Sequence, residues 1–250
     1  MRKLWLVLAG LLAGLGTAPA ETPADCMEAA SLVHPSAGLS RAAAAIANEH
    51  RLRIAVAGSA SSILAGQAGM RAAYPVALQS ALSERLPGIA VTVTNTAKPR
   101  LTAAEMQASF DRVLSDYKPD LVIWQTGTVD AMRGVDPDQF RDALDKGVEQ
   151  LQAGNADVVL MNMQYSPRTE FMISADTYAE IMRGVALREE IPIFDRLAVM
   201  KQWNDQGTFD FSTTTKNSEM AEQVHVCVGR LLAEAVVEAI DFAKEAKQEK

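Results

Sequence analysis

The sequence predicts a single α/β domain, built as a doubly wound parallel sheet of about five strands with helices on both faces. Short apolar runs alternate along the chain with longer amphipathic stretches, which is the pattern of parallel strands joined by helices. The chain has 250 residues, of which 48% are hydrophobic, enough for one full core. No internal repeat or low-complexity stretch divides it.

The order of these runs gives the order of the elements. We predict strands at residues 54–57, 89–94, 121–124, 158–161 and 192–194, each an apolar or β-branched run. We predict helices at residues 39–50, 74–86, 102–117, 137–153, 175–189, 196–203 and 219–247. Thr102 and Glu105 have the spacing of a capping box, which marks the start of the third of these helices.

The first twenty residues have the pattern of a signal peptide. Arg2 and Lys3 precede an apolar stretch at residues 4–16 that is too short to span a bilayer. Ala18-Pro19-Ala20 then matches an A-x-A cleavage site. An uncleaved anchor is the alternative. We therefore divide the chain into a signal peptide (1–20), an amino-terminal arm and helix (21–50) and an α/β domain (51–250), with a periplasmic or secreted location and no stable membrane span after cleavage.

The charge of the chain argues against nucleic acid as a partner. The formal net charge is −7, and it becomes −9 once Arg2 and Lys3 are removed with the leader. An acidic domain without basic runs repels a phosphate backbone.

The cysteines and histidines of the chain indicate whether it can form a disulfide or hold a metal. Cys26 and Cys227 are the two cysteines of the chain, and in an oxidising compartment we expect them to form a disulfide between the arm and the last helix. Two buried free thiols, or a labile arm cysteine, are the alternatives. The three histidines, His34, His50 and His225, lack metal-ligand spacing. We expect no metal and no other cofactor.

The loops that follow the predicted strands are the candidate ligand site, because open α/β sheets bind ligands at the carboxyl ends of their strands. The first loop reads Gly58-Ser59-Ala60-Ser61-Ser62. The next three loops contain charged and hydrogen-bonding residues that we expect to contact a small ester, a glycan or an anionic ligand: Lys98, Arg100, Gln125, Gln164, Tyr165 and Arg168. The more ordinary interpretation is that the basic residues among them are simply solvated.

Several segments occur in the order of a known family: AVAGSASS, AYPVALQSAL, VTNTAKPRLTAAEM, PDLVIWQTGTVDAMR, VVLMNMQYSPR and VCVGRLLAEAV. In this respect the chain resembles the SGNH (GDSL-type) hydrolases, which are esterases and carbohydrate deacetylases of flavodoxin-like fold. The resemblance covers nearly all of the chain after the leader. The segment around Trp124-Gln125-Thr126-Gly127 is the most specific part of it.

The resemblance also shows which family residues are replaced. The family motif G-D-S-x-T carries the nucleophilic serine, a glycine N–H and an asparagine amide stabilise the oxyanion, and a D-x-x-H motif supplies the base. The equivalent positions here are Ser59 and Ala60 for the aspartate and nucleophile, Ala97 for the glycine, Val129 for the asparagine, and Lys216 and Glu219 for the aspartate and histidine.

These replacements favour a catalytically inactive relative of esterases that acts as a binding or accessory protein, for a ligand or a periplasmic protein partner. Loss of the nucleophile of a triad lowers kcat by about a million-fold. A role in structure or partner binding that leaves the pocket unused is a further alternative.

The alternative from another class is an active ester hydrolase with a relocated nucleophile at Ser59, Ser61 or Ser62. His225, with Glu222 three residues before it, would then mimic the acid–histidine pair. We predict both residues to lie inside the final helix, close to Cys227 and away from the loop edge, which argues against this alternative.

Overall fold

The computed structural model describes residues 24–64, 66–212 and 219–248, so the predicted signal peptide lies outside the described residues. The described residues form one five-stranded sheet in which every neighbouring pair is parallel. In chain order the strands are β1 (Arg51–Ala57), β2 (Ala90–Asn95), β3 (Leu121–Gln125), β4 (Asp157–Met161) and β5 (Ile193–Phe194). Their order across the sheet is β2-β1-β3-β4-β5. The predicted doubly wound α/β fold is confirmed.

Helices connect the strands. Within the described residues they are α1 (Ser40–Glu49), α2 (Gly66–Ala72), α3 (Tyr74–Arg85), α4 (Ala103–Gln107), α5 (Phe110–Tyr117), α6 (Thr128–Arg133), α7 (Pro137–Ala153), α8 (Pro167–Met172), α9 (Ala175–Arg188), α10 (Arg196–Gln206) and α11 (Glu219–Gln248). Ala24–Leu32 and Ala60–Ser62 are 3₁₀ segments. The sequence pattern does not predict α2, α6 and α8, because helices of six or seven residues are too short to show a periodic pattern.

The helix predicted at residues 102–117 is wrong as a single element, since it is divided into α4 and α5. Its start is as predicted: Thr102 and Glu105 form the capping box. The division falls at Ser109, whose hydroxyl donates to the backbone oxygen of Met106 at 2.7 Å. Serine side chains that bond to nearby backbone groups compete with the helical ladder, and this ends α4.

The core lies on the central strands. All five residues of β3 are buried, which requires apolar packing on both of its faces. Trp124 meets the ring of Phe110 edge-on, with centroids 4.8 Å apart. A Cβ added at Gly147 of α7 would come within 2.4 Å of the Trp124 indole, so α7 packs this closely only because it has a glycine there.

The amino-terminal arm is held against the carboxyl-terminal part of the chain. Cys26 and Cys227 form a disulfide with their Cα atoms 5.6 Å apart, which confirms the predicted pair. The indole N–H of Trp203 in α10 donates to the backbone oxygen of Cys26 at 3.2 Å. No helix within the described ranges is long and apolar enough to cross a membrane.

Candidate functional site

The loop after β1 is organised around one amide group. Gln125, the last residue of β3, is fully buried, and its Oε1 accepts the backbone N–H of Ser59 at 3.2 Å. The hydroxyls of Ser59, Ser61 and Ser62 lie 3.3, 2.8 and 3.0 Å from the same oxygen. A carbonyl oxygen has two lone pairs, so these donors compete for it. The serines of the loop therefore face the protein interior.

Gly58 makes this arrangement sterically feasible. A Cβ at this position would lie 2.3 Å from the hydroxyl oxygen of Ser62 and 3.2 Å from Gln125 Oε1. The loop can fold back over the end of β3 only where residue 58 has no side chain. Gly127, just after β3, has a φ of +97°, which an L residue with a Cβ rarely adopts. Both glycines thus shape the edge at which the serines and Gln125 meet.

A buried cluster continues from Ser62 toward the last helix. The hydroxyls of Ser62 and Tyr74 are 3.0 Å apart, and the backbone N–H of Tyr74 donates to His225 Nδ1 at 3.0 Å. The Arg196 guanidinium lies 5.9 Å from the centre of the Tyr74 ring and donates to the backbone oxygen of Ser61 at 3.0 Å. His225 lies in α11, as predicted, but one residue, Tyr74, connects it to the serine loop.

Burial determines the protonation of this cluster. Desolvation raises the pKa of Tyr74 to about 12 and lowers the pKa of Arg196 to about 10. Desolvation, and then the nearby charge of Arg196, lower the pKa of His225 to about 3. At neutral pH the cluster therefore contains a neutral phenol, a neutral imidazole and a cationic guanidinium. Tyr74 and Arg196 are not predicted as site residues, because no local pattern in the sequence indicates that the two residues meet.

The structure places five of the six family-equivalent positions. Ala60 is exposed at the start of its 3₁₀ turn. The N–H of Ala97 donates to Asn95 Oδ1 at 3.1 Å, so this N–H is not free to meet an oxyanion. Val129 is half-buried within α6, and Glu219 is the exposed first residue of α11. Lys216 lies outside the described residues.

Asp130 connects the loop after β3 to α4. The carboxylate is buried, and it accepts the backbone N–H of Ala103 at 3.0 Å and the hydroxyl of Thr126 at 3.4 Å. Desolvation raises its pKa, while these hydrogen bonds act in the opposite direction. Asp130 thus fixes the start of α4 and does not point toward solvent.

The structure separates the six predicted ligand-binding residues. Gln125 is fully buried, so its assignment as a ligand contact is wrong: its amide instead holds the serine loop. Gln164 and Tyr165 line a pocket of about 120 Å³ between α8, α9 and α10. Lys98, Arg100 and Arg168 are exposed and do not line this pocket.

The cations that line the pocket are already paired with carboxylates. Lys201 Nζ lies 2.6 Å from Glu170 and 5.8 Å from the centre of the Tyr165 ring. Arg183 pairs with Asp195 at 2.7 Å and with Glu180 at 2.6 Å. A ligand would therefore meet ion pairs and hydrogen-bonding groups, not a free cation. In the described part of the chain, no three histidine, cysteine or carboxylate side chains are grouped to hold a metal.

Comparison with known proteins identifies the family. The sequence profile of the Non-GDSL lipase-like family matches residues 25–242, and the chain belongs to this family. The predicted relationship to SGNH-type hydrolases is thereby confirmed. No curated protein sequence matches the chain.

Solved structures, esterases among them, share the fold. TesA is 20% identical, with a TM-score of 0.56 over 72% of this chain and 97% of its own. A catalytic mutant of Axe2, an acetylxylan esterase from Geobacillus stearothermophilus, is 14% identical, with a TM-score of 0.59 over 74% of this chain and 94% of its own. The psychrotrophic esterase EstA from Pseudoalteromonas sp. is 17% identical, with a TM-score of 0.53 over 74% and 96%.

Proposed function

We propose that this protein is an exported, non-hydrolytic relative of the SGNH esterases that acts as a binding or accessory protein. The observation that carries the proposal is the set of partners of the loop serines. Their hydroxyls meet an amide oxygen of Gln125 and the phenol of Tyr74. A serine nucleophile requires a neighbouring base that takes its proton. An amide oxygen does not take a proton near neutral pH, and a phenol with a pKa of about 12 keeps its own.

His225 does not supply the missing base. Its Nδ1 is occupied by the backbone N–H of Tyr74, and a pKa of about 3 makes the imidazole a weak proton acceptor. General bases work best when their pKa lies near the working pH. We infer that His225 and Tyr74 have a structural role in holding α3 against α11.

Export is the second part of the proposal. The leader-like residues 1–20 precede a chain whose two cysteines are joined. Disulfides persist in oxidising compartments such as the periplasm and the cell exterior. The disulfide therefore supports a periplasmic or secreted location.

A neutral sugar has hydrogen-bonding groups that suit the lining of the pocket beside Gln164 and Tyr165 better than an anion does. The cations Lys201 and Arg183 are paired with carboxylates, so a free anion would gain little attraction there and would lose its hydration. Sugar hydroxyls can instead exchange hydrogen bonds with amide, hydroxyl and carboxylate groups such as Gln164, Thr169 and Asp176.

The first test is for chemistry. The exported protein is incubated with a fluorophosphonate probe and with p-nitrophenyl acetate, beside the variants Ser59→Ala, Ser61→Ala and Ser62→Ala and an active esterase as positive control. We expect neither labelling nor turnover above the uncatalysed rate. Labelling and turnover that vanish in one of the three variants would overturn the proposal in favour of a hydrolase with a relocated nucleophile.

The second test is for the ligand. Binding of neutral mono- and disaccharides, and of their uronic-acid counterparts, is followed by calorimetry with wild type, Gln164→Leu and the matched surface variant Gln152→Leu. We expect binding of a neutral sugar that Gln164→Leu weakens at least ten-fold and Gln152→Leu leaves unchanged. Preference for the uronic acids, or equal effects of both variants, would contradict a neutral glycan in this pocket.

A further inference from the structure

The carboxyl edge of the sheet presents apolar side chains to solvent. Helices α2, α6 and α8 each follow a strand at this edge, and they carry exposed methionines and a phenylalanine. Met70 is 51% exposed, Met132 63%, Phe171 94% and Met172 64%. Phe171 is the most exposed of the large hydrophobic residues in the described chain. Phe171 and Met172 are adjacent in α8 and line the same surface depression, and contiguous exposed apolar side chains indicate an interaction surface.

Unpaired cations lie at the same edge. Lys98 and Arg100 are in the loop after β2, and Arg168 is in α8 after β4. All three are exposed, and none forms an ion pair with a residue that the structure describes. The nearby carboxylates of Glu105 and Glu170 are instead matched by Arg133 and Lys201. This edge therefore carries three exposed, unpaired cations in a chain with a net charge of −7, although the exposed carboxylates of Asp136 and Asp176 lie on the same side of the sheet.

The spacing of the cations favours an extended anionic surface over a single small anion. Strands β2 and β4 are three positions apart in the sheet, which places the loops that follow them roughly 14 Å apart at the usual strand spacing. Lys98 and Arg100 would therefore meet Arg168 on one phosphate or carboxylate only with their side chains extended toward each other. Their separation, with apolar side chains on the same edge, fits an extended surface that is anionic at its outside and apolar beneath.

We propose that this edge docks on an anionic phospholipid membrane surface. Lys98, Arg100 and Arg168 would lie among the headgroup phosphates, and Phe171 and Met172 would insert at the boundary with the acyl chains. Basic side chains are attracted to anionic lipids, and apolar side chains add interfacial burial. Arginine and lysine suit the anionic headgroups, and the exposed apolar residues suit the acyl chains beneath them. This docking would not depend on ligand binding in the pocket.

The test is vesicle co-sedimentation at low salt. The protein is taken from the exported fraction, and intact mass confirms the loss of residues 1–20, so that the leader makes no contribution. Vesicles contain either phosphatidylcholine alone or phosphatidylcholine with 30% phosphatidylglycerol. The variants are Lys98→Gln/Arg100→Gln/Arg168→Gln and Phe171→Ser/Met172→Ser. Matched controls elsewhere on the surface are Arg112→Gln/Lys118→Gln/Lys146→Gln and Leu187→Ser.

We expect binding to the anionic vesicles alone, reversed by 0.5 M salt. The three cation substitutions at the edge weaken binding on the order of 100-fold, since each basic group near an anionic surface contributes a factor of about five. Phe171→Ser/Met172→Ser weakens it at least five-fold, and the controls retain it. Absence of binding, equal binding to neutral vesicles or equal losses in the controls would overturn the proposal. The proposal would also be overturned if the protein bound a soluble anionic polysaccharide but not vesicles, and if the three cation substitutions weakened that binding.

Discussion

The Nδ1 atom of His225 accepts a hydrogen bond of 3.0 Å from the backbone N–H of Tyr74, which joins α11 to the start of α3. An imidazole can accept this bond only when Nδ1 carries no proton. The neutral ring is thus part of the native packing, and protonation of Nδ1 would break the contact. A histidine that satisfies a buried backbone N–H has a structural function, and His225 has this function beside the serine loop.

The low pKa of His225 predicts a loss of stability in acid. Burial keeps the folded-state pKa at about 3, whereas the unfolded chain binds the proton near its ordinary pKa of about 6.5. Between these values the unfolded state holds more protons, so the free energy of unfolding falls by up to about 1.4 kcal/mol per pH unit as the pH decreases. Urea unfolding from pH 7.5 to 4.5 measures this slope, and His225→Gln should remove most of it. The exposed-residue variant His50→Gln should keep it; equal slopes in wild type and His225→Gln would contradict the assignment.

The titration of Asp157 should change the free energy of unfolding with pH in the opposite direction to the titration of His225. Its carboxylate accepts the backbone N–H groups of Arg41 and Ala42 at 2.8 and 3.0 Å, and burial nevertheless raises its pKa to about 6. The folded state therefore holds this proton longer than the unfolded state. The stabilisation that the raised pKa of Asp157 gives to the folded state is fully present below about pH 3.8. It is lost as the pH rises through about 6.

We expect Asp157→Asn to gain stability relative to wild type between pH 4 and pH 8, by about 3 kcal/mol at most. The gain is the difference between the free energies of unfolding of Asp157→Asn and wild type, measured with urea at each pH. Taking this difference also cancels the contribution of His225. Asp142→Asn, on the exposed face of α7, is the matched control. A difference that stays constant with pH would show that Asp157 titrates alike in both states.

Removal of the Gln125 amide should destabilise the serine loop strongly. Gln125→Met keeps the side-chain volume but leaves the N–H of Ser59 and the neighbouring hydroxyls without their acceptor. Buried donors without partners cost about 1–3 kcal/mol each, so we expect a loss of about 2–4 kcal/mol by urea unfolding. Gln152→Met on the surface of α7 should change stability by less than about 0.5 kcal/mol. Similar values for the two variants would rule out the role of Gln125 as an anchor.

Reduction of the Cys26–Cys227 disulfide should lower the melting temperature substantially. The bond closes a loop with a sequence separation of 201 residues, for which chain entropy gives at most about 5 kcal/mol of stabilisation. Calorimetry with and without reductant measures the effect. The variant Cys26→Ala/Cys227→Ala should match the reduced wild type and respond no further to reductant. An unchanged melting temperature on reduction would show that packing alone holds the arm.

Restoration of the nucleophile alone should not restore hydrolysis. Ala60→Ser would place a hydroxyl at the family position, but Val129 offers no donor to an oxyanion and the N–H of Ala97 is already bonded to Asn95. We expect the rate of p-nitrophenyl acetate hydrolysis to stay at that of wild type and of the control Ala104→Ser on the exposed face of α4. A clear rise in Ala60→Ser above both would show that one replacement, not several, silences the site.

The burial of Trp124 can be predicted from the sequence pattern, whereas the burial of Gln125 cannot. Trp124 ends an apolar run, and its burial follows from that run, because a strand covered on both faces needs apolar residues on both. Gln125 is equally buried. The sequence pattern nevertheless predicts that a polar residue at the end of a strand is exposed and contacts a ligand. Only the position of the loop after β1 shows that four donors surround its amide oxygen.

The amino-acid sequence by itself determined the parallel α/β fold, the order of its main elements and the capping box of α4, and it favoured the pairing of Cys26 with Cys227 that the structure confirms. These features depend on local periodicity, on capping chemistry and on the number of cysteines. The tertiary structure alone decided that the loop serines face Gln125, that Tyr74 contacts both His225 and Arg196, and that Gln164 is separated from Lys98. Such contacts join residues far apart in the chain, and their geometry depends on how the strands are ordered across the sheet, which no local pattern encodes.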